Sequence, residues 1–388
     1  MIEDRTFLQG FCAAYLNEGH EMFRGVAARF AREEIAPHAW EWEEAELFDR
    51  ALYRKAAEAG LLGPTFPPEL GGGGGDVFHV LVQLEELLRG GSTGTVMGLG
   101  SLGIALPPVM FLGTPEQQRR FVPPVLAGER IAALAISEPG AGSDVAGLTT
   151  RARRDGDRYL LTGTKLYVTS GVRADQVTVL ARTGDDPHAG LTFFVVERGL
   201  PGYTVSRALK KTGWRASDTA ELRFEEVPVP ADCRLGEEGS GFACLMRTFV
   251  GERLALATQG YALAEIALEE AIAHAKVRQA FGKTIDRFQV VRHKLAEMAA
   301  ETLATKALVY QCAARVQAGT VRPAEVALAK NVAARCAERV CREAVQVLGG
   351  MGYMRETRAE RLSRDARLLD IGGGTHEIMN EIAARELL

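Results

Sequence analysis

The feature that most constrains this 388-residue chain is a double change of hydrophobic period along its length. From about residue 21 to 128, apolar residues recur every three or four positions, as in FDRALYRKAAEAGLL and VFHVLVQLEELLRGG, which predicts helices with one buried face. From about Ile131 the period shortens. RYLLTGTKLYVTSG, QVTVLART, LTFFVVERG and AELRFEEVPVP alternate, or run β-branched and aromatic, between Gly, Asp and Pro, and this is antiparallel-sheet text. Beyond Gly241 the helical period returns in longer stretches such as FQVVRHKLAEMAAETLATKALVYQCAARVQAG and AEVALAKNVAARCAERVCREAVQVLGG, the second stopped by Gly349-Gly350. No βαβ alternation occurs, so a doubly wound nucleotide fold is disfavoured despite 42 glycines. The expectation is an α+β chain: an N-terminal helical bundle (1–130), a middle antiparallel β domain (131–238) and a C-terminal four-helix-type bundle (239–388).

Local signals refine this outline. Thr114-Pro115-Glu116-Gln117 predicts a helix start, with Thr as cap, Pro at the first position and Gln three residues after the cap. The glycine run Gly71 to Gly75 follows PPEL rather than a strand and has no Lys-Ser/Thr after it, so it reads as a flexible turn and not a phosphate loop. The 46 basic and 50 acidic residues are interspersed, with a net charge of -4, which leaves no electrostatic footprint for nucleic acid. No run of about 18 apolar residues stands out to span a bilayer, and MIEDRTFLQGFCAAYLNEGH lacks a cationic start with a long apolar core, so a cytoplasmic location without membrane is expected. Cys12, Cys233, Cys244, Cys312, Cys336 and Cys341 form no C-x-x-C pair and read as reduced, buried thiols. No metal site is expected.

Four stretches could carry chemistry. In AISEPGAGSDVAG, at the first change of period, small residues leave backbone N–H groups free to face a phosphate-bearing or flavin-like guest; a plain structural loop reads equally well. In FACLMRTFVGERLALA, helical spacing puts Leu245, Phe249, Glu252 and Leu256 on one stripe, stranding a carboxylate on an apolar face. Such surroundings raise a carboxyl pKa toward neutrality, as a general base removing a carbon-bound proton requires. The alternative is that Glu252 pairs with an arginine such as Arg253 and only holds the helix. RQAFGKTIDRFQ and QVLGGMGYMRETRAERLSRD mix glycine with Arg or Gln near helix ends, as an interface, a cofactor cradle or a solvated loop would.

Together, AISEPGAGSD, KLYVTSG, WRASDTAELRFEEVPVP, RQAFGKTIDRFQ, QVLGGMGY and the closing GGGTHEI resemble the acyl-CoA dehydrogenase family, in order and from about residue 20 to 388. The resemblance implies FAD between the sheet and the C-terminal bundle. It implies flavin contacts from Leu134, Ile136, Ser137, Gly142, Ser143, Tyr167, Val168 and Thr169, with Ser143 also near the substrate's CoA portion. Arg278, Phe281, Gln289, Gln346, Val347, Gly349 and Gly350 would reach the FAD of a neighbouring subunit, while Thr375 and Glu377 flank a helix start suited to an anion. A homotetramer follows from a cofactor site that needs two chains.

The same resemblance bears on IGGGTHEI. Short- and medium-chain members carry the catalytic glutamate where Gly373 stands; isovaleryl-CoA and long-chain members carry it in an E-R-L segment on the helix after the β domain, which here is Glu252-Arg253-Leu254. Glu252 is therefore expected as the base, with the Gly373 backbone N–H donating to the thioester oxygen, and Val250, Arg253, Gly373 and Gly374 beside the substrate. The glycines are also expected to open room beside the reacting carbons. The implied activity is α,β-dehydrogenation of an acyl-CoA to its trans-2-enoyl form, with electrons passed to an electron-transferring flavoprotein. A flavin monooxygenase or oxidase, or an acyl-carrier-protein dehydrogenase, on the same fold is the alternative, and a cofactor-free scaffold a third. Tyr167 and Ser170, where many relatives have Trp and Asn, and His376 depart from the usual pattern.

Overall fold

The computed structural model describes residues 7–388; the first six residues of the N-terminal stretch read for a leader lie outside the described residues. Helices fill the first third, and several begin with a residue chosen for its side chain. Thr114 caps the helix Pro115–Phe121 in a capping box with Gln117, as its spacing predicts. Asn17 caps Glu18–Phe30 with His20, and Asp76 caps Val77–Leu88 with His79.

His20, Asp76 and His79 bring ligand-type atoms within 4.8 Å of one another, a spacing a metal ion could use. Within the cluster His20 Nε2 meets Asp76 Oδ1 at 2.9 Å, and further bonds run to the backbone of the two helix starts. His20 Nδ1 accepts the Asn17 amide at 3.0 Å, His79 Nδ1 accepts the Asp76 amide at 3.1 Å, and Asp76 Oδ1 accepts the amides of Phe78 and His79. The cluster joins two helix starts.

Two expectations for this region are corrected. The Gly71 to Gly75 run is not a loose turn: Gly73, Gly74 and Gly75 donate to the carbonyls of Gly63, Phe66 and Pro64. A Cβ on Gly72 would stand 2.2 Å from the Phe66 oxygen, so close backbone approach demands glycine there. The second concerns apolar length. Thr93–Leu112 is long and apolar enough to cross a membrane by composition, because Gly, Ser and Thr interrupt its hydrophobic residues without adding charge. It folds as Thr93–Leu99, Leu102–Ala105 and Pro107–Leu112, and more than half of it is buried in the protein.

The middle of the chain forms one eight-stranded sheet: β1 (Ala132–Ala135), β2 (Arg151–Asp155), β3 (Arg158–Thr169), β4 (Gln176–Arg182), β5 (Leu191–Glu197), β6 (Tyr203–Ala208), β7 (Thr219–Pro230) and β8 (Arg234–Leu235). Most neighbours are antiparallel, but β1 pairs parallel with β4, Ala132 opposite Gln176, so the sheet is mixed rather than wholly antiparallel. The 136–150 loop and the β2–β3 hairpin separate β1 from β4, and a connection of that length permits parallel pairing. The β4 and β5 strands are buried on both faces except at their last residues, which places the core beneath the first helical layer.

Three long helices, Gly241–Val277, Gln289–Gln317 and Pro323–Leu348, with Arg358–Ala366 and His376–Leu387, make the last layer. Buried charge locks it to the first. Glu85 accepts Arg24 at 2.7 Å, Tyr261 Oη at 2.8 Å and Tyr310 Oη at 2.9 Å. Burial alone would raise the Glu85 pKa, but Lys306 and Arg24 outweigh it and hold it at about 2. All six cysteines are buried and unpaired, as expected.

Candidate active site

The 241–277 helix sets one side of the site. Leu245 is fully buried on it, Phe249 and Leu256 pack partly against the core, and Glu252 shares their stripe. Glu252 is half-buried as a residue, yet its Oε2 is shielded from solvent and has no hydrogen-bond partner. Burial raises its pKa to about 7, against the opposing pull of Arg253 and then Lys330. The alternative pairing with Arg253 is not made. Arg253 is 6% exposed, lies over the Phe249 ring at 4.9 Å, and donates from Nε to the Gly373 carbonyl at 3.1 Å. It therefore serves the loop, where a substrate contact was expected. Val250, also expected at the substrate, is two residues from Glu252, about 200° around the helix, and packs partly against the core.

The 371–375 loop forms the facing wall. Gly373 and Gly374 have φ of 65° and 105°, conformations that glycine adopts without cost. A Cβ on Gly373 would stand 3.7 Å from Glu252 Oε1 and only 2.4 Å from Leu256 Cδ1. Two consequences follow. The Glu252 carboxyl reaches the place where a side chain on residue 373 would begin, and the room expected from the missing side chain is already taken by Leu256. The Gly373 amide donates to no group of the chain among the described residues, whereas the carbonyls around it are held: Gly373 by Arg253, Gly374 by Lys330 Nζ at 2.7 Å, His376 by Asn331 Nδ2 at 2.9 Å. Thr375 Oγ1 caps the last helix through the Ile378 amide. Glu377 is exposed, and its pKa is lowered by its own backbone N–H and by Thr375, so its carboxylate sits at the helix start expected to bind an anion.

Lys330 and Asn331 escaped the sequence reading. Their one signal is a lone cation in ALAKNVAA, an expensive residue on an alanine-lined helix face.

On the sheet side, Leu134, Ile136 and Ser137 are half-buried along the end of β1 and the loop after it, and Gly142 and Ser143 are exposed with amides that donate to no other group among the described residues. Tyr167 interrupts the β3–β7 register, has φ of 61° and exposes 68% of its surface, a cost for an aromatic residue in the left-handed region. Thr169 is half-buried. Val168 is buried, so only its backbone can serve a ligand on this face.

The sequence reading also missed what joins the loop to β3. Lys165, fully buried, donates to Glu138 Oε1 at 2.9 Å and to the Ile136 carbonyl at 2.7 Å, while Glu138 accepts the amides of Thr149 and Thr150 at 2.7 and 2.9 Å. Burial lowers the Lys165 pKa to about 8, and Lys165, against burial, helps lower Glu138 to about 2. The pair staples the two walls expected at a flavin to each other.

Arg278, Phe281, Gln289, Gln346, Gly349 and Gly350 are exposed on the C-terminal layer, and Val347 is half-buried. Phe281 sits at the turn between the two-residue strands Gln279–Ala280 and Lys283–Thr284 and is 94% exposed.

Comparisons with known proteins agree with this architecture. Residues 17–129, 133–227 and 239–388 match the descriptions "Acyl-CoA dehydrogenase, N-terminal domain", "middle domain" and "C-terminal domain". The chain is 40% identical over 372 residues to the long-chain specific acyl-CoA dehydrogenase, mitochondrial, of Sus scrofa, covering 95% of this chain and 86% of that one. The solved structure of a probable acyl-CoA dehydrogenase from Mycobacterium abscessus superposes with a TM-score of 0.95 at 46% identity, covering 96% of this chain and 100% of that one. A glutaryl-CoA dehydrogenase from Mycobacterium smegmatis, solved in complex with FADH2, superposes with a TM-score of 0.91 at 27% identity over 97% and 96% of the two chains.

Proposed function

Because the chain belongs to the acyl-CoA dehydrogenase family, we propose that it oxidises an acyl-CoA to the trans-2-enoyl thioester with FAD as cofactor and Glu252 as the base. The observation that carries this reading is the convergence of the helix and the loop. Glu252 Oε1 lies 3.7 Å from the Cβ position of residue 373, its Oε2 is buried without a partner, and an unused amide sits on Gly373 itself. A carboxyl with pKa near 7 is half-ionised at neutral pH and basic enough to share a carbon-bound proton in the transition state.

The residues present fit a flavin. An aromatic ring exposed on a bulged strand, next to a loop with free amides, suits a planar ring system carrying polar edges. Tyr167, Thr169 and the 134–143 segment would hold it, and the relative solved with FADH2 supports the choice. FAD bound there supplies a two-electron acceptor for the β-hydrogen. Glu252 takes the α-proton. The Gly373 N–H donates to the thioester oxygen as negative charge develops on it, and Arg253 keeps the neighbouring carbonyl turned to itself and away from that charge. Leu256 closes the side of the site next to residue 373 and keeps it apolar.

The helix-borne base and the 40% identity to a long-chain enzyme favour a long or branched acyl group, and an electron-transferring flavoprotein is the partner that would collect the electrons. The exposed Phe281 hairpin supports an assembly in which one chain completes its neighbour's cofactor site, as in a homotetramer. The test is Glu252→Gln: it should purify yellow yet fail to bleach when acyl-CoA is added across a panel of chain lengths and branches. Full bleaching by this variant would overturn the assignment.

A further inference from the structure

We propose that Lys330 is a positioning residue for this reaction: its ammonium holds the Gly374 carbonyl in place beside the Arg253-held Gly373 carbonyl, and its charge acts through space on Glu252. The inference rests on Glu252 being the base. Lys330 projects from the Pro323–Leu348 helix and is fully buried, a position where an ammonium is unfavourable without a strong partner. Among the described residues it makes no carboxylate ion pair. Its hydrogen bond goes to the Gly374 oxygen at 2.7 Å, a neutral acceptor that satisfies one of its three donors.

The loop it grips adjoins Glu252: the Cβ position of Gly373, one residue before the carbonyl Lys330 holds, lies 3.7 Å from Glu252 Oε1, and the Oε2 of that carboxyl has no partner. The charges that act on Lys330 are Asp370 at the loop entry, then Arg253 and Glu252 on the 241–277 helix and Glu377 on the last helix; those that act on Glu252 are Arg253 and then Lys330. Arg253 and Lys330 therefore do the same two things from two helices. Each takes the carbonyl of one of two consecutive glycines, fixing the turn that leaves the Gly373 amide free, and each favours the ionised form of Glu252. Arg253 is spent on stacking with Phe249 as well, so Lys330 is the cation whose removal perturbs the loop and the base with least other damage.

The experiment uses the flavin-loaded enzyme carrying Lys330→Met, Lys330→Gln or Lys330→Arg. Ionisation of Glu252 is followed by pH-difference infrared spectroscopy, with its carboxyl band identified by disappearance in Glu252→Gln, alongside the pH profile of kcat/KM. Loss of the charge should move the Glu252 midpoint upward by about 0.5–1 pH unit in the Met and Gln variants, and Arg should leave it near the wild-type value. The Met variant should also lose kcat about tenfold with little change in KM. A merely structural lysine would lower activity and thermal stability without moving the midpoint. An unmoved midpoint in a folded Met variant, or an equal shift in Arg, overturns the proposal while leaving Glu252 as base; a Glu252→Gln variant that still bleaches overturns the base itself. If Lys330→Met does not fold, Lys330→Gln, which keeps a donor, provides the same reading.

Discussion

Glu252 Oε1 lies 3.7 Å from the point where a side chain on Gly373 would begin, so an acid carried by the helix and an acid carried by the loop would address the same space. Two distant sequence positions are thus equivalent in their target and different in their approach. The approach decides what can be exchanged between them.

Moving the acid to the loop in a Glu252→Gln background should not by itself restore turnover. A non-glycine residue at φ of 65° costs about 1–2 kcal/mol, and its Cβ would overlap Leu256 Cδ1 at 2.4 Å. Adding Leu256→Ala removes the overlap. Steady-state rates should rise at least about tenfold from the Glu252→Gln/Gly373→Glu double variant to the triple variant; equal rates would show that Leu256 yields freely.

The pH dependence follows from the carboxyl of Glu252, raised by burial to about 7. Catalysis needs it ionised, so kcat/KM should climb with pH and level off above about 7. Stability should run the other way. An acid whose folded pKa exceeds its unfolded value binds more protons when folded, so its contribution is complete below the unfolded carboxylate pKa and is lost as pH rises through about 7. Glu252→Gln should therefore be more stable than the parent at pH 8, by about 1–2 kcal/mol with allowance for partial exposure, and equal to it at pH 4. Denaturant melts at the two pH values check this.

Breaking the Glu138–Lys165 staple from one side should be worse than removing both partners. Glu138→Gln leaves a buried ammonium without its carboxylate, at a cost of about 3–5 kcal/mol, while Glu138→Gln with Lys165→Met leaves no uncompensated charge. Thermal melting together with retention of yellow colour on gel filtration distinguishes them. Loss of flavin should track the single variant.

Phe281→Asp should leave the fold intact, since the ring is 94% exposed, and should disrupt assembly. Analytical ultracentrifugation is expected to show smaller species that bind FAD more weakly. An unchanged assembly with full flavin content would exclude the hairpin from the subunit contact.

Much of this molecule was legible in one dimension because its strongest signals are local. Period three-to-four and period two belong to single helices and strands, so the order helix, sheet, helix is visible without any long-range contact, and the Thr114 capping box is complete within four residues. Glu252 could be singled out for the same reason: its apolar stripe lies along one helix. The motifs also located the loop at 371–377.

What only the tertiary structure decided is which buried charges compensate which, and that is not a local property. Arg253 adjoins Glu252 in the chain, so pairing was a fair alternative, yet its guanidinium turns to the Gly373 carbonyl. Lys330 in an alanine-rich helix, Glu138 before a proline and Lys165 in a strand carry no sign in the sequence of what holds them, because Glu138 and Lys165 are 27 residues apart and Lys330 reaches a carbonyl 44 residues away along the chain. That the space at Gly373 is filled was likewise invisible: a missing side chain opens space only if nothing else packs there, and Leu256, on another element, does. Desolvation and close packing sum over neighbours from every layer of the fold, and only folding brings those neighbours together.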